Sequence, residues 1–294
     1  MKKLILAFAV AALAVGGAMA QAKDTLAKVK ASGKIVMGTR DSSAPLAYTL
    51  GDGKYTGYHV ELCERVIKAV APAAKVEYVL VTSQNRIPLV QNGTVDIECG
   101  STTNNATRQK DVAFAVTTYV TEVRTAVKAN SGITSVAQLN GKSVATTTGT
   151  TSVQTLRKNE RAQGIDFKEI FGKDHSDSFL LLESGRADAF VMDDNILAGL
   201  IANAKNPKDF NIVGEVLSVE PIAIMMRKDD PAFQKAVDDA VKGMMKSGDL
   251  TKLYAKWFMS PIPPKNVNVN LPMGATLKGL IAAPNSKPME DYKK

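Results

Sequence analysis

The sequence predicts an α/β fold, because segments typical of strands and helices alternate in the order βαβα, and that order occurs twice. A weak internal repeat supports this fold: residues 89–99 and 182–191 both contain a helix end, a glycine, an aspartate and an apolar strand. Because α/β units generally follow this plan, the repeat leaves open whether the two halves are related. Two long apolar segments, 119–129 and 219–227, flank the second unit and would be crossovers that make the second lobe an insertion in the first.

The first predicted elements form a βαβ unit. A short helix near residues 26–30 is followed by a strand at 34–39, which stops at the turn-rich segment 40–45. Apolar residues at helical spacing predict a helix at 59–71, and residues 76–81 have the composition of a second strand. Both strands therefore end in polar loops.

The later elements continue the alternation. Pro88 is predicted to open a helix, and an apolar strand then ends at Cys99. In the second unit, the loop at 148–152 follows a strand and precedes a helix predicted at 153–159, so its amides could form an anion site at a helix N-terminus. A helix at 250–258 and a polar tail are expected to return to the first lobe.

The chain divides into three predicted segments. Residues 1–20 are a secretory signal peptide, residues 21–121 and 220–294 form lobe 1, and residues 122–219 form lobe 2. The signal combines a basic start, a short apolar run and small residues before Ala20. Because a membrane span needs roughly 20 apolar residues and a glycine pair breaks this run, cleavage after Ala20 and export to the periplasm are expected.

The composition argues against several partners. The formal net charge is +8, but the basic residues are scattered, and there is no basic stripe or motif typical of nucleic-acid binding. We find no metal-ligand spacing, nucleophile elbow or dinucleotide fingerprint, so neither a metal nor a cofactor is expected. We expect a soluble, exported monomer.

The two cysteines allow two interpretations. Cys63 lies on an apolar helical face and Cys99 ends an apolar strand, so both could be small buried hydrophobic residues. In an oxidising compartment they could also form one disulfide. The sequence does not show whether their Cα atoms come close enough.

Polar residues follow the predicted strands at their carboxyl ends, where open α/β sheets bind ligands. Each has an ordinary explanation as a solvated arginine, a helix cap or a structural histidine. Together, three arginines, a histidine and a helix N-terminus beside one aspartate suit a ligand with two carboxylates and one ammonium. The candidate ligand-binding residues are Arg40, Ser83, Arg86, Ser101, Thr103, Arg108, Thr151, His175 and Asp193.

The segment TSQNRIPLVQNGTVDIECGSTTNNATRQK at residues 82–110 closely resembles the glutamate/aspartate-binding proteins of bacterial ABC importers. The likeness extends from about residue 26 to 270 and includes the motifs at 38–43, 148–152 and 173–179. The resemblance implies a two-lobe periplasmic-binding-protein fold of type II, with the second lobe inserted in the first and two hinge crossovers. It also implies capture of L-glutamate or L-aspartate by hinge closure and delivery to a permease.

The resemblance assigns the candidate residues to three parts of such a ligand. The α-carboxylate would be held by Arg108, Thr103 and Thr151. The α-ammonium would be held by Asp193 and Ser101. The distal carboxylate would be held by Arg40, Ser83, Arg86 and His175.

The alternative from another class is a lyase or dehydratase, because some such enzymes are built on the same fold. An enzyme would need a general acid or base against its substrate, and the candidates are His175, Asp193 and Glu98. His175 lies in a motif better explained by binding, so we expect a protein that is not an enzyme. The sequence leaves the preference between glutamate and aspartate open, as well as an additional receptor-signalling role.

Overall fold

The computed structural model of the protein describes residues 24–292, and the predicted signal peptide with its cleavage site lies outside them. Two five-stranded sheets, each covered by helices, form two lobes. Within the described range, no helix combines the length and apolar character needed to cross a bilayer.

The first sheet has the strand order β5-β1-β6-β13-β7. Strand β1 pairs in parallel with β5 and β6, whereas β13 runs antiparallel to β6 and β7. The carboxyl ends of the three parallel strands therefore meet at one edge of the sheet. The strands are β1 (Lys34–Thr39), β5 (Lys75–Leu80), β6 (Ile97–Glu98), β7 (Val112–Phe114) and β13 (Met225–Arg227).

The second sheet has the order β10-β9-β11-β8-β12. Strand β9 pairs in parallel with β10 and β11, and the long strands β8 and β12 complete the sheet in antiparallel orientation. Its strands are β8 (Tyr119–Lys128), β9 (Ser143–Thr147), β10 (Lys168–Gly172), β11 (Ala189–Asp193) and β12 (Phe210–Ile222). A small antiparallel sheet beside the first lobe contains β2 (Ser42–Ser43), β3 (Ala47–Thr49) and β4 (Tyr55–Thr56).

The helices connect these strands and cover both sheets. Short 3₁₀ turns lie at Arg108–Lys110, Val136–Leu139, Pro207–Asp209 and Met289–Asp291. The α-helices are α1 (Thr25–Ser32), α2 (Tyr58–Val70), α3 (Arg86–Gln91), α4 (Thr151–Gln163), α5 (His175–Glu183), α6 (Asp194–Asn203), α7 (Pro231–Ser247), α8 (Asp249–Phe258) and α9 (Ala275–Ala282).

Strands β8 and β12 are the two connections between the lobes. Their pairing begins with Tyr119 opposite Ile222 and ends with Lys128 opposite Phe210, so the two crossovers lie side by side. The chain leaves the first sheet after β7 and returns to it at β13, which confirms the predicted α/β fold with one lobe inserted in the other. The predicted second crossover at 219–227 was too short, because β12 begins at Phe210 and a break after Ile222 separates it from β13.

Two helix starts and one unpredicted helix are the main differences from the prediction. Helix α4 begins at Thr151 rather than residue 153, because Thr150 is the extended residue that precedes the first turn. Helix α3 begins at Arg86, so Pro88 is its third residue, where the first turn of a helix still tolerates a missing N–H. Helix α9 lies in the tail, where the glycine- and proline-containing sequence gave no helical signal.

Apolar side chains fix the arrangement within each lobe. The largest buried cluster packs β1 and β6 against α2, α7 and α8, and two clusters occupy the two faces of the second sheet. Cys63 on α2 and Cys99 after β6 form a disulfide across the first cluster, with Cα atoms 6.3 Å apart. Of the two interpretations of the cysteines, the bridge is therefore the one that the structure has.

Candidate ligand-binding site between the lobes

Loops at the carboxyl ends of both sheets converge on one cavity. The first lobe contributes residues that follow β5 and β6, and the second lobe contributes the starts of α4 and α5 and the end of β11. All predicted site residues except Arg40 and Arg108 line it directly. The lining residues are Ser83, Arg86, Ser101, Thr103, Thr150, Thr151, His175, Met192 and Asp193.

The cavity is narrow and its walls are buried. It has room for only about 10 Å³, and every side chain that lines it is buried, including Arg86 and Asp193. Ligand pockets commonly enclose about 300 to 1,000 Å³, so the cavity in this conformation is smaller than a bound guest needs. Because no lining residue is open to water, a guest can enter only if the lobes separate.

Arg40 lies behind the cavity wall and links the lobes. Its Nη2 donates to Ser83 Oγ at 2.9 Å and forms an ion pair with Asp174 Oδ1 at 2.8 Å, while Nη1 donates to Ser101 Oγ at 3.0 Å. The protein itself therefore supplies the anion for this guanidinium. Asp174 was absent from the predicted site, although it lies in the motif at 173–179. In the structure it is the N-cap of α5, and its carboxylate accepts from His175 N.

His175 is held as a neutral ring. Its Nε2 lies 3.2 Å from Arg40 Nη2, and its Nδ1 lies 3.0 Å from Thr147 Oγ1. Because a guanidinium only donates, Nε2 accepts and the proton resides on Nδ1. Burial, and then the charge of Arg40, lower the pKa of His175 to about 3. Both ring nitrogens are thus engaged by the protein, and the ring serves as a wall of the cavity and a support for Arg40.

Arg86 has more unused donors than Arg40, in which only Nε lacks a partner among the described residues. Among residues 24–292, none accepts a hydrogen bond from Nε or Nη1 of Arg86, although both atoms are buried. Burial, and then the charges of Arg108 and Arg40, lower the pKa of Arg86 well below its usual value. A buried charge without a partner is unfavourable, so this side chain is prepared for an anion placed in the cavity.

Arg108 lies at the other end of the site, beside the start of α4. Its Nη1 donates to the carbonyl oxygen of Thr103 at 2.9 Å, and its Nη2 donates to that of Gly149 across the cleft at 3.3 Å. It also lines an open cleft that adjoins the cavity at Thr150 and Thr151. This end therefore combines a guanidinium with the first turn of a helix, whose amides favour anions.

A second carboxylate, Glu220 on β12, lies beside this end and was missed by the sequence analysis. Its Oε2 accepts from the hydroxyls of Thr103 and Thr151, both at 2.6 Å, and its Oε1 accepts from Ser218 Oγ at 2.9 Å. Burial, and then the charge of Glu220, raise the pKa of Asp193 well above its usual value. The position of Glu220 within the mostly apolar segment at 219–227 was the available signal, because a buried charge needs a specific partner.

The lobes touch closely at two glycines. A Cβ at Gly199 in α6 would lie 2.4 Å from the carbonyl oxygen of Ala44, and one at Gly149 would lie 2.7 Å from Gln84 Cα. Gly149 also has a φ of 82°, which favours glycine. Ser176 N donates to Ser42 Oγ at 3.2 Å nearby. The closed arrangement therefore depends on backbone contacts that leave no room for side chains.

The site offers charge at three places and no metal-binding cluster. Across the described residues, no group of three or more His, Cys, Asp or Glu side chains is placed to hold a metal ion. Arg86 and Ser83 can donate at one end, Arg108 and the amides of α4 can donate at the other, and Asp193 can accept between them. Such a set complements a small molecule with two anionic groups and one cationic group.

Comparison with known sequences identifies relatives over nearly the whole chain. The profile of the bacterial extracellular solute-binding proteins, family 3, matches residues 35–260. The chain is 48% identical to the L-glutamate/L-aspartate-binding protein of Pseudomonas aeruginosa over 273 residues, which cover 90% of each chain. It is 44% identical to the glutamate/aspartate import solute-binding protein of Escherichia coli K12 over 293 residues, 96% of this chain and 97% of the relative.

Solved structures share the fold. The ancestral amino acid-binding protein AncCDT-1, a precursor of cyclohexadienyl dehydratase, superposes with a TM-score of 0.71 at 30% identity, over 80% of this chain and 99% of that one. The two-lobed architecture is therefore that of the type II amino-acid-binding proteins.

Proposed function

Because the chain belongs to the bacterial extracellular solute-binding proteins of family 3, we propose that it captures L-glutamate or L-aspartate between its lobes and delivers it to the membrane subunits of an ABC importer. One observation supports this most: Arg86 presents buried donors without a partner to a narrow cavity that also contains the carboxylate of Asp193. An amino acid with an acidic side chain satisfies both groups at once.

The proposed ligand extends from Arg86 in the cavity to Arg108 at the edge of the adjoining cleft. Its distal carboxylate accepts from Arg86 and from Ser83, whose hydroxyl proton is free because its oxygen already accepts from Arg40. Its α-carboxylate lies at Arg108 and the first amide of α4, at Thr151. Its α-ammonium donates to Asp193. Arginine suits the carboxylates because its planar N–H groups match two oxygens.

Arg40, Ser101 and His175 complete the proposed site with a second kind of role. Arg40 holds Ser83 and Ser101 through its hydrogen bonds, and His175 accepts from Arg40. The ligand contacts Ser101 and His175 as walls of the cavity, while Arg40 adds positive charge behind the distal carboxylate. These residues therefore shape the distal end without needing a charged histidine.

Calorimetry on ligand-stripped protein with L-glutamate, L-aspartate, L-glutamine and L-asparagine tests the proposal. We expect the two acidic amino acids to bind, and both amides to bind at least tenfold more weakly, because an amide does not neutralise the charge of Arg86. Arg108→Ala should weaken binding of the acidic amino acids by at least tens of fold. Equal affinity for glutamate and glutamine would contradict the proposal.

Binding without turnover is the proposed outcome at this site, and the relationship to a dehydratase precursor makes the distinction worth testing. The pKa of His175 is about 3, which is far from the range that suits a general base near neutral pH. Incubation of the purified protein with prephenate-like substrates should therefore give no product above the uncatalysed rate. Measurable turnover in the same sample would favour the lyase instead.

We propose that the protein works in the periplasm, and the relatives' role in import supports this location. We propose that residues 1–20 direct export and are removed after Ala20, and that the mature chain acts as a monomer. Mass spectrometry of protein recovered from the periplasm would give the mature N-terminus. Light scattering of the same sample would give its oligomeric state.

A further inference from the structure

Glu220 contacts both lobes through two hydroxyls of the proposed site. Thr103 comes from the first lobe and Thr151 from the second, and both donate to the same oxygen, Glu220 Oε2, at 2.6 Å. The two hydroxyl oxygens are 3.4 Å apart and both line the cavity. Glu220 itself is fully buried and is absent from the cavity lining.

The direction of these hydrogen bonds decides what the hydroxyls offer to a ligand. A hydroxyl has one proton to donate and two lone pairs to accept with. Because the protons of Thr103 and Thr151 point to an acceptor-only carboxylate, only lone pairs remain for the cavity. These two side chains therefore act as acceptors toward a guest, which reverses the donor role that the resemblance implied for them.

Acceptors at this position match an ammonium group. The carboxyl group of Asp193 lines the same cavity as the two hydroxyls that Glu220 contacts from behind. A cation placed between Asp193 and the two hydroxyls would therefore meet acceptors from both sides. An uncharged acceptor, such as the oxo group of a 2-oxo acid, would face the lone pairs of these two hydroxyls.

We propose that Glu220 is the positioning residue that makes the site select an α-ammonium, by turning the hydroxyls of Thr103 and Thr151 into acceptors. The inference rests on the proposed function, since it assumes that the α-amino end of the ligand lies at this part of the cavity. Glu220 also adds negative charge behind the ammonium. It needs no contact with the ligand to do either.

The test compares L-glutamate with 2-oxoglutarate, which keeps both carboxylates and lacks the ammonium. In Glu220→Leu, affinity for L-glutamate should fall about thirtyfold, in keeping with loss of hydrogen bonds that involve a charged group. Affinity for 2-oxoglutarate should stay within about threefold of wild type, because a released threonine hydroxyl can donate to its oxo group. The ratio of the two dissociation constants should therefore shrink about tenfold. Calorimetry of both ligands with the wild type and with Glu220→Leu measures this ratio.

Two further variants separate orientation from charge. Glu220→Gln keeps an oxygen that can accept from both threonines, so it should retain most of the discrimination between the two ligands. It should also fold if Glu220→Leu does not. Glu98→Gln is the matched control, because Glu98 is also a buried carboxylate but accepts from Thr102, which does not line the cavity. It should change the affinities for the two ligands by the same factor.

The outcomes are distinguishable. An equal loss of both ligands in Glu220→Leu and Glu220→Gln would mean that Glu220 only maintains the fold, and this would overturn the inference. The inference would also be overturned if Glu98→Gln reduced the discrimination between L-glutamate and 2-oxoglutarate as much as Glu220→Leu does. Any buried carboxylate nearby would then produce the effect. If wild-type protein binds neither acidic amino acid, the proposed function fails first, and the Glu220 variants are not what decides it.

Discussion

Arg40 and Arg86 are two fully buried arginines of the first lobe that the protein treats differently. Both terminal nitrogens of Arg40 are bonded to the protein, one of them to Asp174 of the opposite lobe. Arg86 keeps Nε and Nη1 without an acceptor anywhere in the described chain, residues 24–292. The comparison shows that a count of buried arginines overstates the number of anion receptors, because one of these guanidinium groups already has its anion.

The two arginines should therefore contribute differently to the stability of the protein and to its affinity for a ligand. The ion pair of Arg40 joins the lobes, so its loss would leave the partly buried carboxylate of Asp174 without a cation. Breaking a buried pair by removing one partner is strongly destabilising. Arg86, in contrast, keeps buried donors without an acceptor, so an anionic ligand would offset a cost that the protein leaves unmet. Substitutions at the two positions should therefore move the ligand-free protein in opposite directions.

Arg86→Met should have the largest effect on binding. Affinity for L-glutamate should fall about 100-fold or more, since removing one partner of a buried charge pair costs about 2 to 5 kcal/mol. The thermal midpoint of the ligand-free protein should stay the same or rise, because methionine fills a similar volume without an unpaired charge. Calorimetry and thermal unfolding of the stripped protein measure the two effects. A clear fall in the ligand-free midpoint would contradict the assignment of Arg86 as a receptor.

Arg40→Met should reduce both quantities. Affinity should fall about thirtyfold, because Ser83 and Ser101 lose the donor that positions them. The ligand-free protein should lose about 2 to 4 kcal/mol of unfolding free energy, because Asp174 stays partly buried without its partner. The double variant with Asp174→Asn is the control, and it should recover part of the stability but little of the affinity. Equal midpoints for Arg40→Met and Arg86→Met would remove the distinction between them.

The same contrast shows which parts of the site could be predicted from the sequence. The strand ends that bear Arg86 and Ser83 were predictable, because alternating apolar segments give the strands and open sheets bind ligands at their carboxyl ends. The lobed fold followed from the repeated βαβα order together with the family resemblance. The motif at 173–179 contains Asp174, but the family resemblance gave this residue no role in the site.

Contacts between residues far apart in the sequence could not be predicted in the same way. Arg40 and Asp174 are 134 positions apart, and Thr103 and Glu220 are 117 apart, so nothing local connects them. Whether Cys63 and Cys99 form a bridge likewise depended on the packing of α2 against the first sheet. Local pattern gives the elements and their polar ends, whereas the partner of a buried charge is set by tertiary packing.

Gly199→Ala should sharpen the comparison, because it disturbs closure without touching either arginine. Alanine favours a helix over glycine by about 1 kcal/mol, so α6 itself should gain stability. Its Cβ would nevertheless lie 2.4 Å from the carbonyl oxygen of Ala44 in the opposite lobe. Affinity for L-glutamate should therefore fall about tenfold, as a share of the protein is held open, and small-angle scattering should show less compaction on ligand addition.

Gly243→Ala in α7 is the matched control for this substitution. It brings the same helix preference, and no atom lies within 4 Å of the added Cβ. Its affinity should equal that of wild type, and its thermal midpoint should rise slightly. If Gly199→Ala binds as tightly as Gly243→Ala, the contact between Gly199 and Ala44 is not part of the ligand-bound conformation.

The smallest effect on affinity is expected at His175, whose ring supports Arg40 in the neutral state. Its pKa is lowered to about 3, whereas an unfolded histidine titrates near 6.5. The stability contributed by the neutral ring is therefore present in full above pH 6.5 and is lost as the pH falls toward 3. Between pH 7 and pH 5 the histidine becomes protonated in the unfolded chain but stays neutral in the folded one. The free energy of unfolding should therefore fall by about 2 kcal/mol over this range.

His175→Gln tests this, since a glutamine oxygen can still accept from Arg40. The difference in unfolding free energy between wild type and variant should shrink by about 2 kcal/mol as the pH falls from 7 to 5. The affinities of the two proteins for L-glutamate should stay within about threefold, with parallel pH profiles. A wild-type affinity that rises relative to the variant below pH 6.5 would mean that the ring becomes charged on binding. Arg40 would then no longer be needed to account for the positive charge behind the distal carboxylate.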